Sequence, residues 1–344
     1  MPTSQTCVKT GPGKVAMAQI PYPDEPGPGQ ALIKTTLSTV CGSDIHIVDE
    51  MPIPGGVPMG HEAVGVVYAV GSGVTAIKTG DRVTVSCLVC CGFCERCMGG
   101  EQQLCQTYNA PANLVFGAQG EYFLVNGAQT STAKIPDTLE DEQVLFTTDI
   151  MSTGFGAIER AEIKAGDSVA IFAQGPVGLC ATAGARALGA GLIIAVESIP
   201  ERVEMAKRLG ADVVVEPNDA VAKIMALTNN KGVDIAVEAL GKQATFENAC
   251  NVVRLGGTVS SVGVYASEES LMVPLGGSFI QRKIVTTLCP VGTERLTRLM
   301  AMLGTGKVDL RPLLTHSMRI SETVEAYDLF RERRGGVLKI ALRP

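Results

Sequence analysis

Tryptophan is absent from this chain of 344 residues, and other aromatics are few: 9 Phe and 6 Tyr, beside only 3 His. No stretch approaches the roughly 18 consecutive apolar residues that a membrane span needs. Met1 to Thr10 lacks the basic region and apolar run of a secretory signal. Basic residues gather into no long stripe and the formal net charge is −6, which sets nucleic-acid binding aside. There are 11 cysteines, but a chain with no signal is expected in the reducing cytoplasm, where clustered cysteines bind metal or stay reduced more often than they pair.

What is there is a folded, core-forming composition, 46% apolar and 19% charged, long enough that two domains are expected. The 39 Gly and 18 Pro fit many tight turns between short elements. Strand-like runs at Val15–Ile20, Ala31–Leu37, Ala63–Val70 and Lys78–Val85, divided by Pro/Gly-rich turns, predict a β-rich first domain. From Ser168 the pattern becomes strand, glycine turn, helix: a buried strand at Val169–Phe172, a turn at Gln174–Gly178, a helix from Leu179 to Leu188. Strands at Leu192–Glu197, Val213–Val215, Val233–Glu238 and Gly257–Gly263 repeat it, with a helix over Pro200–Leu209. Such alternation predicts an α/β domain with a doubly wound parallel sheet of Rossmann type over 151–286. Beyond it lie an apolar segment at Ile284–Leu288, helices near Glu294–Leu303 and Ser321–Arg331, and a closing strand at Val337–Leu342. The chain is therefore expected to return to the first domain, which would comprise 1–150 and 287–344.

Three constellations carry chemistry. Val40-Cys41-Gly42-Ser43-Asp44-Ile45-His46, Gly60-His61-Glu62 and Thr147-Thr148-Asp149 offer a thiolate (Cys41), an imidazole (His61) and a carboxylate (Asp149), a set suited to a zinc with one open position. The Cys41 stretch is expected in a loop after a strand. Cys91, Cys94, Cys97 and Cys105 have the spacing of a closed, all-cysteine structural zinc site, with Cys87 and Cys90 as bystanders. Gly175-Pro176-Val177-Gly178 supplies the second and third glycines of a dinucleotide turn, while Ala173 stands where the first is expected. Glu197, 19 residues after Gly178, can accept both adenosine ribose hydroxyls and repel a 2′-phosphate, which favours NAD; alternatively it caps the following helix.

Together these motifs, in order and spacing, resemble the zinc-dependent medium-chain alcohol dehydrogenases over nearly the whole chain. The resemblance implies a β-rich, GroES-like catalytic domain beside the Rossmann domain. It implies catalytic zinc on Cys41, His61 and Asp149, with Glu62 nearby and able to enter the metal shell transiently. Zn²⁺, two anionic ligands and neutral His61 sum to zero charge, so the ion would remain a strong Lewis acid toward an alcohol. Ser43 would take the released proton and pass it toward His46, and Asp44 would orient His61. Thr153, Val262, Gly263 and Val264 would lie at the nicotinamide, and Lys339 at the cofactor phosphates. Many family members carry cysteine where this chain has Asp149; the Asp resembles bacterial secondary-alcohol dehydrogenases, which often lack the four-cysteine lobe.

The expectation is thus an NAD-dependent zinc alcohol dehydrogenase, cytoplasmic, with one catalytic and one structural zinc. It would act on a small alcohol, aldehyde or ketone, engage no nucleic acid or membrane, and assemble as a homotetramer by analogy with short bacterial members. A polyol, amino-alcohol or aldehyde-dismutating relative would use the same machinery. A zinc-stabilised nucleotide-binding structural protein would keep the lobe and the glycine turn but has no need for Cys41, His61, Asp149 and Ser43 together.

Overall fold

The computed structural model describes residues 3–108, 113–265, 269–275 and 280–344. The chain divides into two compact units, one of Met1–Ser152 with Cys289–Pro344 and one of Thr153–Leu288. The crossings fall two residues after the expected ones.

The first unit begins with an antiparallel pair, β1 (Thr3–Gly11) and β2 (Lys14–Pro21). β3 (Ala31–Ser38) is followed by the expected loop only as far as Cys41, because a helix, α1 (Gly42–Asp49), begins at the next residue. Cys41 is the N-cap of α1: its N–H donates to Asp44 Oδ2 at 2.9 Å, which reaches back from the first turn as in a capping box. β4 (Ala63–Val70) follows, then β5 (Arg82–Val85). β5 is shorter than expected because Lys78-Thr79-Gly80-Asp81 is a turn, closed by Lys78 N–H on Asp81 Oδ2 at 2.8 Å with Gly80 at φ +89°. The lobe contains α2 (Glu95–Met98); β6 (Tyr122–Val125), α3 (Ala128–Ser131), β7 (Thr132–Lys134) and α4 (Asp141–Val144) come next. The chain enters the second unit within α5 (Ile150–Arg160).

The second unit holds β8 (Ser168–Phe172), α6 (Pro176–Ala187), β9 (Leu192–Val196), α7 (Pro200–Arg208), β10 (Val213–Val215), α8 (Ala220–Leu227), β11 (Val233–Glu238), α9 (Gln243–Val252), β12 (Val253–Ser261) and β13 (Lys283–Thr286). The six strands among the described residues are all parallel, in the order β10-β9-β8-β11-β12-β13, so the winding reverses between β8 and β11. That reversal is where a doubly wound sheet takes its ligand. Phe172, Ile194, Val196, Phe246 and Val259 pack one buried face. Helix α6 starts three residues before the expected Leu179, because Pro176 already has the φ of a first helical residue and needs no N–H donor there.

The return contributes α10 (Thr293–Gly304), β14 (Leu314–Arg319), α11 (Thr323–Arg331) and β15 (Lys339–Arg343). In the first unit's large sheet the order is β14-β15-β3-β4-β5-β7, with β6 also on β3. β15 pairs antiparallel to β3, which places a residue from the far end of the chain beside the strand that feeds Cys41. The pairs are antiparallel as expected of a β-rich domain, except β14 with β15. Ile47, Val48, Tyr327, Ile340 and Leu342 form the core beneath α1.

Candidate active site

Each ligand of the first constellation is set by its neighbours in the chain. Cys41 sits where α1 begins. His61 follows Gly60, whose φ is +90° and where a Cβ would lie 2.5 Å from Gln119 Cγ, so only glycine permits the approach. Glu62 stays under β3 because Ser38 Oγ donates to its carbonyl at 2.8 Å. Asp149 follows Thr148, whose carbonyl accepts the Cys87 N–H at 2.9 Å. As a result one ligand atom from each of Cys41, His61, Glu62 and Asp149 lies within 4.8 Å of all the others. His61 Nε2 is 3.3 Å from Asp149 Oδ2, and Cys41 Sγ is 3.6 Å from the same oxygen.

The donor set fits zinc. His61 Nδ1 faces Asp44 Oδ1 at 3.0 Å, which turns Nε2 toward the other ligands. Asp44 is itself fixed, its Oδ2 accepting from Cys41 N–H and, at 2.8 Å, from Gln119 Nε2; Gln119 Oε1 in turn accepts from the Tyr327 hydroxyl at 2.9 Å. Glu62 Oε2 is buried with no hydrogen-bond partner among the described residues, while Oε1 takes the Lys339 ammonium at 2.6 Å. Burial pushes the Cys41 thiol up, with Lys339 opposing and Glu62 and Asp149 adding to the rise. Burial also pushes Glu62 up against the pull of Lys339. For His61 burial acts downward, but the Asp44 charge and its hydrogen bonds win and the imidazole titrates well above its usual range. Packed anions that raise one another are what a dication would neutralise.

Ser43 Oγ lies 3.2 Å from His61 Nε2. His46 is one turn further along the same helix face, its Nδ1 3.2 Å from Glu50 Oε1 and its side chain 41% exposed. Ser43 thus stands at the ligands and His46 at the surface.

The four lobe cysteines also have sulfurs within 4.8 Å of one another. Backbone N–H groups point at them: Phe93 and Cys94 at Cys91, Gln106 at Cys94, Cys91 and Tyr108 at Cys105. The Gln106 N–H first, then that of Cys97, bring the Cys94 thiol down to about 6, whereas burial drives Cys97 up. With Phe93 69% and Met98 73% exposed, the lobe has little core to hold it without a metal. Cys90 Sγ faces Thr130 and Ser131; it packs beside Cys97 and Cys105 but is not one of the four whose sulfurs could share an ion. Cys87 packs instead with Leu88, Cys289 and Val291.

In the second unit Gly175 caps α6, with Pro176 and Val177 in its first turn. At Gly178 a Cβ would stand 2.0 Å from the Ala173 carbonyl oxygen, so helix and strand can close only on glycine. Ala173 takes φ +71° without being glycine, which explains how the incomplete motif still makes the turn. Glu197 ends β9 and is occupied: Oε2 accepts Gln174 N–H at 3.0 Å, and Oε1 accepts Ser198 and Ile199 N–H at 2.8 and 3.1 Å. It therefore ties the glycine turn to the next strand and holds the two residues that lead into α7, without capping the helix itself.

Residues 27–137 match the alcohol dehydrogenase GroES-like domain, and residues 176–304 match the zinc-binding dehydrogenase family. An alcohol dehydrogenase of Cupriavidus necator is 45% identical, over 97% of this chain and 96% of its own. The chain belongs to the zinc-dependent alcohol dehydrogenases. An NADP-dependent isopropanol dehydrogenase of Thermoanaerobacter brockii is 36% identical over 95% of this chain and 96% of its own. Among solved structures, an alcohol dehydrogenase from Thermus sp. ATN1 superposes with TM-score 0.91 at 32% identity, covering 98% of this chain and 99% of its own. This dehydrogenase is accordingly an oxidoreductase, with the GroES-like and Rossmann-type domains of that family.

The remaining candidates of this dehydrogenase fall as follows. Thr153 is buried in α5. Val262, Gly263 and Val264 leave the end of β12, next to the reversal in strand order; Val262 N–H donates to the Glu238 carbonyl at 2.9 Å, and a Cβ at Gly263 would meet Gly241 N at 2.1 Å. Lys339 is not the phosphate contact that the resemblance implies. Its side chain is completely buried in the first unit, with Nζ on Glu62 Oε1 and, at 3.1 Å, on the Val40 carbonyl, and there it meets a carboxylate in place of a phosphate. Gln119 and Tyr327 carry no local motif, and their part in holding Asp44 appears only when the fold brings them together.

Proposed function

We propose that this dehydrogenase interconverts a primary or secondary alcohol and its aldehyde or ketone with NAD, the hydride passing from the carbinol carbon to the nicotinamide. The observation that carries the reading is the convergence of Cys41, His61 and Asp149, with Glu62 beside them, at the buried start of α1. Cys41, His61 and Asp149 would hold a catalytic zinc, and the four lobe cysteines a structural one. Bound at the first site, zinc supplies the Lewis acidity that lets an alcohol proton leave near neutral pH.

The chain does the rest. Asp44, held by Gln119 and Tyr327, keeps His61 in one tautomer and one orientation. Ser43 Oγ would take the hydroxyl proton as it releases its own toward His46, which is exposed on the same helix and would pass it to water. Lys339 neutralises Glu62, so that this carboxylate can stand next to Cys41 and Asp149 without adding a full charge. In the second unit the N-terminus of α6, opened by Gly175 and Gly178, takes the pyrophosphate, and Glu197 faces the adenosine ribose, where a 2′-phosphate would meet its charge. Thr153, Val262, Gly263 and Val264 would line the nicotinamide. We further place the protein in the cytoplasm as a homotetramer, on the resemblance alone.

The test follows reduced-nicotinamide absorbance with NAD or NADP and a panel of primary alcohols, secondary alcohols and diols. Reduction of NAD by simple alcohols is expected, abolished in Cys41→Ala while lobe zinc remains. Full turnover in that variant, or no alcohol that reduces NAD, would overturn the reading.

A further inference from the structure

Cys87 and Cys289 are separated by 202 residues in sequence, yet both are buried, 3% and 5% exposed, and share one small apolar cluster with Leu88 and Val291. Cys87 follows β5, its N–H on the Thr148 carbonyl at 2.9 Å and its own carbonyl accepting Val115 N–H at 2.8 Å. Cys289 precedes Pro290, whose carbonyl accepts Ser152 Oγ at 2.5 Å; its sulfur lies 3.6 Å from the Asp149 carbonyl oxygen. Both backbones are thus anchored on either side of Asp149. One ligand atom from each of Cys87, Asp149 and Cys289 lies within 4.8 Å of the other two. With sulfur–metal bonds near 2.3 Å, two thiolates on one tetrahedral ion stand about 3.8 Å apart, inside that limit.

We propose that Cys87, Cys289 and Asp149 form a second metal position, adjoining the first and selective for a thiophilic dication. Two sulfurs and one oxygen select Zn²⁺ or Cd²⁺ over Mg²⁺ or Ca²⁺, which take oxygen ligands. Asp149 is common to both groups of ligands, and a carboxylate with two oxygens can bridge two ions. Binding balances as two thiols and one dication giving a dithiolate complex and two released protons. An ion there draws electron density from Asp149 and crowds the opening at the first site, so a soft metal in excess inhibits the enzyme. The catalytic assignment of Asp149 is used only for that last step.

The experiment starts from enzyme with both zinc sites filled and titrates it with Cd²⁺, measuring bound cadmium, retained zinc, the ultraviolet sulfur-to-cadmium band and protons released. The expectation is one further ion per chain, no zinc lost, two protons released, and inhibition in step with uptake. Cys87→Ser and Cys289→Ser should each lose the additional ion and its absorbance while keeping the resting zinc content. Cadmium uptake matched by zinc release, an additional ion that persists in both variants, or equal uptake of Mg²⁺ would overturn the proposal. Ion binding without inhibition would leave the metal position standing and refute only the bridging role of Asp149.

Discussion

Replacing Lys339 with Met tests the electrostatics of the site without touching a proposed metal ligand. Lys339 and Glu62 are both completely buried, with Nζ 2.6 Å from Oε1, and Glu62 Oε2 has no hydrogen-bond partner among the described residues. Removing one partner of such a pair leaves an uncompensated buried charge, which costs about 3–5 kcal/mol. For units of 150–250 residues each kcal/mol moves the melting temperature by roughly 2–4 °C, so a fall of about 6–20 °C is expected. The double variant Lys339→Met, Glu62→Gln should recover most of that, because a neutral pair carries no desolvated charge. The loss should also depend on pH. Burial raises Glu62 in the folded chain, and without Lys339 the rise is larger. A carboxyl raised on folding is stabilising below its unfolded value, about 4.3, and that contribution is lost as pH climbs toward the folded value. The deficit of the single variant relative to the parent should therefore be smallest near pH 4 and grow toward neutrality. Urea or thermal unfolding across that range checks it. A single variant within about 1 kcal/mol of the parent, or a double variant no more stable than the single, would refute the argument.

Two further substitutions separate packing from chemistry. Gly178→Ala forces a Cβ to 2.0 Å from a backbone oxygen and should destabilise by about 3 kcal/mol or more, whereas Gly175→Ala meets nothing within 4 Å and should leave stability within about 0.5 kcal/mol while weakening nucleotide binding, as calorimetry would show. In the lobe, Cys94→Ser should remove one zinc by elemental analysis and open 91–108 to limited proteolysis, since the exposed Phe93 and Met98 offer no substitute core; an undigested lobe would show that it stands without metal.

What could be read from sequence and what could not divides along a physical line. Strands with apolar β-branched runs, such as β4, β8 and β9, announce themselves because every buried position there is apolar, and β11 does so with Glu238 as its one buried exception. Strand β1 does not, because its buried positions include Ser4, Thr6 and Lys9: Thr6 pairs with Ser4, while distant partners satisfy the other two, Tyr122 for Ser4, and Ile47 and Met51 for the Lys9 ammonium. Helix α1 was hidden for a related reason. Eight residues rich in β-branched side chains give little helical signal, and its start is fixed by the bond from Cys41 N–H to Asp44. The same holds for Lys339, whose charge resembles a phosphate contact until β15 pairs with β3 and carries it to Glu62, 277 residues away in sequence. Candidate ligands are legible because few residue types bind zinc. The groups that orient and neutralise them, Gln119, Tyr327 and Lys339, are ordinary residues made functional by burial, and a partner that burial selects is known only once the strands are paired.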